Sequence, residues 1–303
     1  MKIGAFEILE PLREPRDTHA LVMIRPWVDV GSVGSLTLRQ MERHFQAQKL
    51  GALARPGTFF DFTRYRPSVK IVNGQREMTY PNSLVNFAPA DTDTGSDLLF
   101  LHLLEPHANA EDYVDSIIEL LEYFKVKIYC RIGAMYDSVP HTRPLVVTGN
   151  PGPVEPRPGA TPPLIQQRSS QYEGPTTVMN RLNDAAAAMG IGIMSFMAHL
   201  PHYAQLDEDF AGTARMLEVL SAFYDFPTTL APIHRGRLQY AELDAAMDRQ
   251  PAVKSLVSRL ESHYDTTYQI PGQSAADESE PAEEPAKLSP EIEQFLKYLD
   301  LGL

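Results

Sequence analysis

Residues 20–36, ALVMIRPWVDVGSVGSL, run from an unbroken apolar stretch through a Gly-rich turn into the start of a helical pattern. The stretch at 20–27 is too short for a core helix and reads as a strand buried on both faces. In the segment that follows, TLRQMERHFQAQKLG, Leu38, Met41 and Phe45 fall near helical spacing, and Gly51 is the expected stop. Strand, turn and helix in this order form the unit from which helix-covered sheets are built.

The pattern extends outward from there. In SVKIVNGQREMTY (68–80), Asn73-Gly74 sits between alternating apolar and polar residues and predicts a hairpin. DLLFLHLLEP (97–106) is a second buried strand. It precedes a helix expected to be capped by Asn109, with Tyr113, Ile117, Leu120 and Phe124 on one face. VKIYCRIGA (126–134) is the next strand. After a Pro- and Gly-rich loop, TVMNRLNDAAAAMG predicts a helix closed by Gly190, and IGIMSFMAHLP a further strand. The expected fold is α/β: a mixed, partly parallel sheet flanked by helices, with a C-terminal helical appendage. The domain reading is an α/β core over 1–205, a helical appendage over 206–268, a disordered acidic linker over 269–288 and an amphipathic helix over 289–303. In that last helix Ser289 caps, Pro290 takes the first position, and Ile292, Phe295, Leu296 and Leu299 share a face suited to a partner.

Composition narrows the function classes. The chain has 303 residues, of which 43% are hydrophobic, and a formal charge of −12, which opposes nucleic-acid or anionic-membrane binding. Five carboxylates and no cation lie within 277–284. No stretch reaches the ~18 apolar residues of a membrane span, and the start lacks a signal-peptide pattern, so a cytoplasmic protein is expected. Cys130 is the single cysteine and reads as a buried structural thiol.

Four clusters can carry chemistry. Asp29, Gly31, Ser32 and Gly34 form a turn that opens a helix, where exposed N–H groups can hold an anion or simply permit a tight βα turn. Asp61, Arg64 and Arg66, beside Tyr65 in FFDFTRYRP (59–67), suit an anionic ligand, an internal ion pair or a protein interface. Glu105, His141 and Arg143 follow predicted strand ends, where α/β sheets place ligands, and a structural polar network uses the same residue types. His199, His202 and Tyr203 in HLPHYA form at most half a metal site, since Pro201 argues against a helix and no third ligand is in view; no metal or cofactor is expected. No nucleophile elbow or nucleotide fingerprint is present.

FFDFTRYRP, LLFLHLLEP, RIGAMYDSVPHTRP and HLPHYA, in this order and at these intervals, resemble the proteasome assembly chaperone family of the second-subunit type in its prokaryotic form, over about residues 1–265. The resemblance implies an α/β sandwich similar to that of nucleoside phosphorylases and hydrolases, with added C-terminal helices. It also implies a non-enzymatic role on proteasome particles. Relatives that dock on the proteasome can end in a hydrophobic residue, Tyr and one more residue. This sequence ends Leu301-Gly302-Leu303, with Tyr298 further upstream. The preferred reading is a non-enzymatic oligomeric scaffold or assembly chaperone that binds itself, with a trimer as one form, and a proteasome-like or other protein complex. The alternative is a phosphorylase- or hydrolase-like enzyme acting on a small nucleoside or amide. In it Arg64, Arg66 or Arg143 would hold an anion, His141 would move a proton and Glu105 would orient it.

Overall fold

Strand β3 (Thr18–Arg25) lies in the middle of a sheet, and its residues Ala20, Leu21, Val22, Met23 and Ile24 are all fully buried. Burial on both faces explains the unbroken apolar run, because a central parallel strand has no solvent side. The computed structural model describes residues 1–9, 13–90, 95–166, 174–247 and 251–268. The linker expected over 269–288 and the tail helix with Ile292, Phe295, Leu296 and Leu299 lie outside these residues.

Before β3 come two short strands, β1 (Lys2–Ile3) and β2 (Phe6–Ile8). After it come α1 (Val33–His44), β4 (Gln48–Leu53), the hairpin β5 (Ser68–Val72) and β6 (Gln75–Thr79), β7 (Leu84–Ala88) and β8 (Leu98–Leu104). There follow α2 (Ala110–Tyr123), β9 (Val126–Asp137), β10 (Val147–Asn150), β11 (Ile165–Gln166), α3 (Val178–Ala188) and β12 (Gly192–Pro201). The last elements are α4 (Phe210–Ser221), α5 (Ile233–Met247) and α6 (Pro251–Thr267). Ten strands form one sheet in the order β1-β2-β4-β7-β8-β3-β9-β12-β10-β11, and β5 pairs only with β6. The centre, β8-β3-β9-β12, is parallel, and antiparallel strands extend it on both sides. The fold is thus the mixed α/β sheet flanked by helices that the sequence predicts.

Each face of the sheet has its own core. On one, Tyr113, Ile117, Leu120 and Leu121 of α2 and Met179 and Leu182 of α3 cover Ala20, Val22, Leu99 and Leu101. On the other, Leu38 and Met41 of α1 and Met216, Leu217 and Leu220 of α4 cover Leu21, Met23, Phe100 and Cys130. The Cys130 thiol is buried, and burial pushes it up to about 12. No helix among the described residues is long and apolar enough to cross a membrane.

Three local expectations change. Helix α1 ends at His44, and Gln46 takes the left-handed conformation at φ 53°, so the chain turns before Gly51 is reached. Gly51 lies inside β4 instead, where the Glu7 carbonyl oxygen would stand 2.1 Å from an added Cβ. Asn109 precedes α2 at φ 52° without a side-chain cap, and its Nδ2 donates to the Thr58 carbonyl at 2.8 Å. The appendage expected from residue 206 is not separate at its start. α4 is one of the two helices over the second core, and the chain divides into units at Met1–Tyr264 and Asp265–Leu303. The apolar spacing of α4 marks a helix, but spacing carries no information about which sheet face receives it. Of the second unit, residues 265–268 are described, and α6 ends at Thr267.

Gly51→Ala forces Glu7 and β2 away from β4. We expect it to cost about 2 kcal/mol or more, the usual scale for overpacking at a rigid backbone, read as a lower denaturation midpoint.

Candidate functional site

In chain order the parallel strands run β3, β8, β9, β12, so the strand order reverses between β3 and β9. Sheets of this kind place ligands beyond the carboxyl ends of the strands at such a reversal. Here the chain fills that place itself. Asp29 bridges to Ala134, and the Ala134 N–H donates to the Val28 carbonyl at 2.9 Å. The buried Asp29 carboxylate accepts from Ser35 N at 3.0 Å and from Ser35 Oγ at 2.5 Å, occupying the start of α1 that an external anion would need. Burial raises its pKa, and the Ser35 bonds only partly offset that. The Gly31 carbonyl accepts from Asp209 N at 2.7 Å, and Ser32 Oγ donates to the Asp207 carbonyl at 2.8 Å, so the turn is tied to the entry of α4. Beside Gly34, an added Cβ would stand 3.0 Å from Asp29 Oδ1, which explains its small side chain. The tight-turn reading accounts for all four residues.

His141 and Arg143 join the C-terminal helices to the sheet. Tyr203 Oη accepts from the His141 backbone N–H at 2.8 Å and also lies 2.8 Å from Nδ1. The hydroxyl proton is therefore free to go to Nδ1, which leaves Nε2 as the protonated nitrogen, 3.5 Å from Asp244 Oδ1 on α5. Burial pushes the His141 pKa down, against the pull of Asp244 and Glu261. Glu261 on α6 accepts from Thr142 Oγ1 at 2.6 Å and from Arg143 Nη1 at 3.1 Å, and Tyr264 Oη donates to the Pro144 carbonyl at 2.6 Å. The segment SVPHTRP is thus a socket for α5 and α6.

Glu105 does not join it. Its Oε1 accepts from Val178 N at the start of α3 at 2.8 Å, and burial raises its pKa. Its Oε2 is buried without a partner. Glu105 lies beside a cleft of about 730 Å³, between the ends of β3 and β8, that Trp27, Arg64, Tyr65 and His107 also line. Asp61 stands at its rim. Its Oδ1 accepts from Thr63 N and Thr63 Oγ1, both at 2.8 Å, so Asp61 shapes a turn and forms no ion pair with Arg64. Arg66 faces a neighbouring cleft.

His199 and His202 diverge. His199 Nδ1 lies 2.7 Å from Asp137 Oδ2, and Nε2 lies 2.8 Å from Thr148 Oγ1. A carboxylate can only accept, so Nδ1 carries the proton and the Thr148 hydroxyl donates to Nε2. His202 Nδ1 faces the Asp137 carbonyl at 3.1 Å. The Asp137 pKa is lowered: burial opposes this, but the hydrogen bonds from His199 and from the Ser138 backbone N–H outweigh it. The chain of bonds ties the ends of β9, β10 and β12 together and opens on neither cleft. Among the described residues no three His, Cys, Asp or Glu side chains are grouped to hold a metal.

Sequence reasoning passed over Asp137, Thr148, Asp209, Asp244 and Glu261, although Asp137 stands inside the quoted motif. Thr148, Asp244 and Glu261 act across gaps of tens of residues, as Asp137 does toward His199, so local spacing carries no trace of those partners. Asp209, by contrast, also caps α4 through Gly212 N and was open to a local reading.

Glu261→Ala removes two bonds from the socket. We expect about 1–2 kcal/mol of lost stability, with faster amide exchange in α6 and unchanged exchange in β3. His141 sets a pH dependence. Below its ordinary pKa the unfolded chain takes up a proton that the folded site refuses, so its contribution is complete above about pH 6.5 and is lost on acidification. Asp29 and Glu105 shift in the opposite sense, so the effect is read as a difference: His141→Gln loses less stability than wild type between pH 7.5 and 5.5 in denaturant titrations.

The PAC2 family model matches residues 23–239. A Mycobacterium tuberculosis protein of unknown function superposes with a TM-score of 0.71 at 22% identity, over 88% of this chain and 92% of that one. A proteasome-assembly chaperone homologue from the same organism gives 0.64 at 19% identity, over 79% and 99%. PbaB from Pyrococcus furiosus, an archaeal proteasome activator, gives 0.61 at 12% identity, over 80% and 97%. Among curated proteins none matches significantly. With the family model spanning most of the molecule, the sheet and helices described above are those of a PAC2 protein, and this chain belongs to the PAC2 family.

Proposed function

We propose that the chain is a non-enzymatic scaffold of the assembly-chaperone type, which self-associates and engages a proteasome-type complex. Family membership supports this reading, as does the description of two fold neighbours as a proteasome-assembly chaperone homologue and a proteasome activator. The polar candidates support it as well. Asp29, His141, Arg143 and His199 are bonded to other parts of the chain and hold its turns and helices together.

One observation carries the proposal. The β5–β6 hairpin stands outside the main sheet, turning at Asn73-Gly74 with both residues at positive φ, and all its strand residues are exposed. Val69 pairs opposite Met78, and Ile71 lies two residues along β5, so the three share one face of the ribbon. They are 51%, 57% and 70% exposed respectively. A two-stranded ribbon with an apolar face gains little stability alone, and covering that face by another protein is the ordinary use of such a surface.

The test mixes the full chain with purified proteasome core particles of its host and measures co-sedimentation, with the mass of the free protein read in parallel. A complex and a free mass above one chain are expected. Ile71→Asp with Met78→Asp should weaken the complex at least about tenfold, as loss of central apolar contacts does, without lowering the melting temperature. A strictly monomeric protein that leaves core particles untouched overturns the proposal.

A further inference from the structure

A second cleft, of about 660 Å³, runs between the sheet and the base of the β5–β6 hairpin. Arg25, at the end of β3, Lys49, in β4, and Arg66, just before β5, all line it, together with Tyr65 and Tyr80. No carboxylate is among its lining residues, in a chain whose acidic side chains outnumber the basic ones by 39 to 27. Arg25, Lys49 and Arg66 make no ion pair and donate no side-chain hydrogen bond among the described residues. Elsewhere cations are used: Arg13 pairs with Asp97, Lys125 with Glu14, Arg157 with Asp225 and Arg181 with Glu111. Lys2, Arg39, Arg64 and Lys70 likewise show no ion pair among the described residues, so what sets these three apart is the cleft they share, whose lining holds no carboxylate. Three separate backbone segments bring them to this one cleft, and the buried Asp29 carboxylate lies within the electrostatic reach of Arg25.

The chemistry that answers three gathered cations is anionic and multivalent. Two guanidinium groups offer forked donors and the ammonium a point charge, a set that matches phosphate oxygens. The volume lies within the range of small-molecule sites. The Tyr65 hydroxyl donates to the Glu105 carbonyl at 3.1 Å, which fixes its ring at the wall shared by the two clefts, and Tyr80 adds a second ring for an apolar portion of a ligand. We propose that this cleft binds a phosphate-bearing small molecule through Arg25, Lys49 and Arg66. The inference stands apart from the proposed engagement of a proteasome-type complex and survives its failure.

Calorimetric titration of the full chain with inorganic pyrophosphate and, separately, with ADP tests it at low salt. Saturable binding at one site is expected, with Kd below about 1 mM, weakening as salt rises. Tighter binding of ADP identifies a nucleotide-type ligand using the tyrosine rings, and equal binding identifies the phosphate alone. Lys49→Gln and Arg66→Gln, both exposed and without a bonded partner among the described residues, should each weaken binding about tenfold, the scale of one charge-assisted hydrogen bond. Lys70→Gln, outside the cleft, should leave it unchanged. No saturation by about 5 mM of either ligand, a far weaker range than such a site would give, overturns the proposal. An unchanged Kd in the folded Lys49→Gln/Arg66→Gln double variant does so too.

Discussion

Full burial of β3 is the constraint on which the rest of the structure depends. A parallel strand in the middle of a sheet must be covered on both faces, and the chain meets that demand with α2 and α3 on one side and α1 and α4 on the other. The fourth helix comes from beyond residue 205, so the core cannot be completed by the βα alternation of the first two hundred residues alone. This is why α4 belongs to the sheet layers, while α5 and α6 follow outside it.

Closing both faces brings polar groups into places where water is scarce, and these have to be paired. Most pairings connect segments that the chain order keeps far apart: Gly31 to Asp209, His199 to Asp137 and Thr148, His141 to Tyr203 and Arg143 to Glu261, with Asp29 to Ser35 as the local one. In consequence the carboxyl ends of the strands, where doubly wound sheets keep an open crevice, are here stitched shut between β3 and β9. To one side, around Tyr65, two clefts and the exposed hairpin adjoin one another.

Much of this was legible in local pattern. Ala20 to Ile24 read as a buried strand because five successive apolar residues leave no solvent face. Tyr113, Ile117, Leu120 and Phe124 read as one helical stripe, and all four are fully buried. Asn73-Gly74 read as a hairpin because both positions accept positive φ. Gly51 and Asn109 misled for a related reason. Glycine suits a close strand approach as well as a helix stop, and asparagine can tie a neighbouring loop as readily as it caps a helix, so residue type leaves both roles open until the surroundings are in place.

The candidate site divides along the same line. Residue chemistry and position after a strand were sufficient to single out His141, Arg143, Glu105 and His199 as polar groups with work to do. Their work depends on partners 51 to 118 residues away, and no periodicity encodes such a distance. Strands, helices and the hairpin follow from short-range regularities, since backbone geometry repeats every two or every 3.6 residues. Which polar groups meet, which cations gather in one cleft and which helix closes the core were decided only when the sheet brought distant segments together. Side-chain bonds act over a few ångströms of space, whatever the separation along the chain.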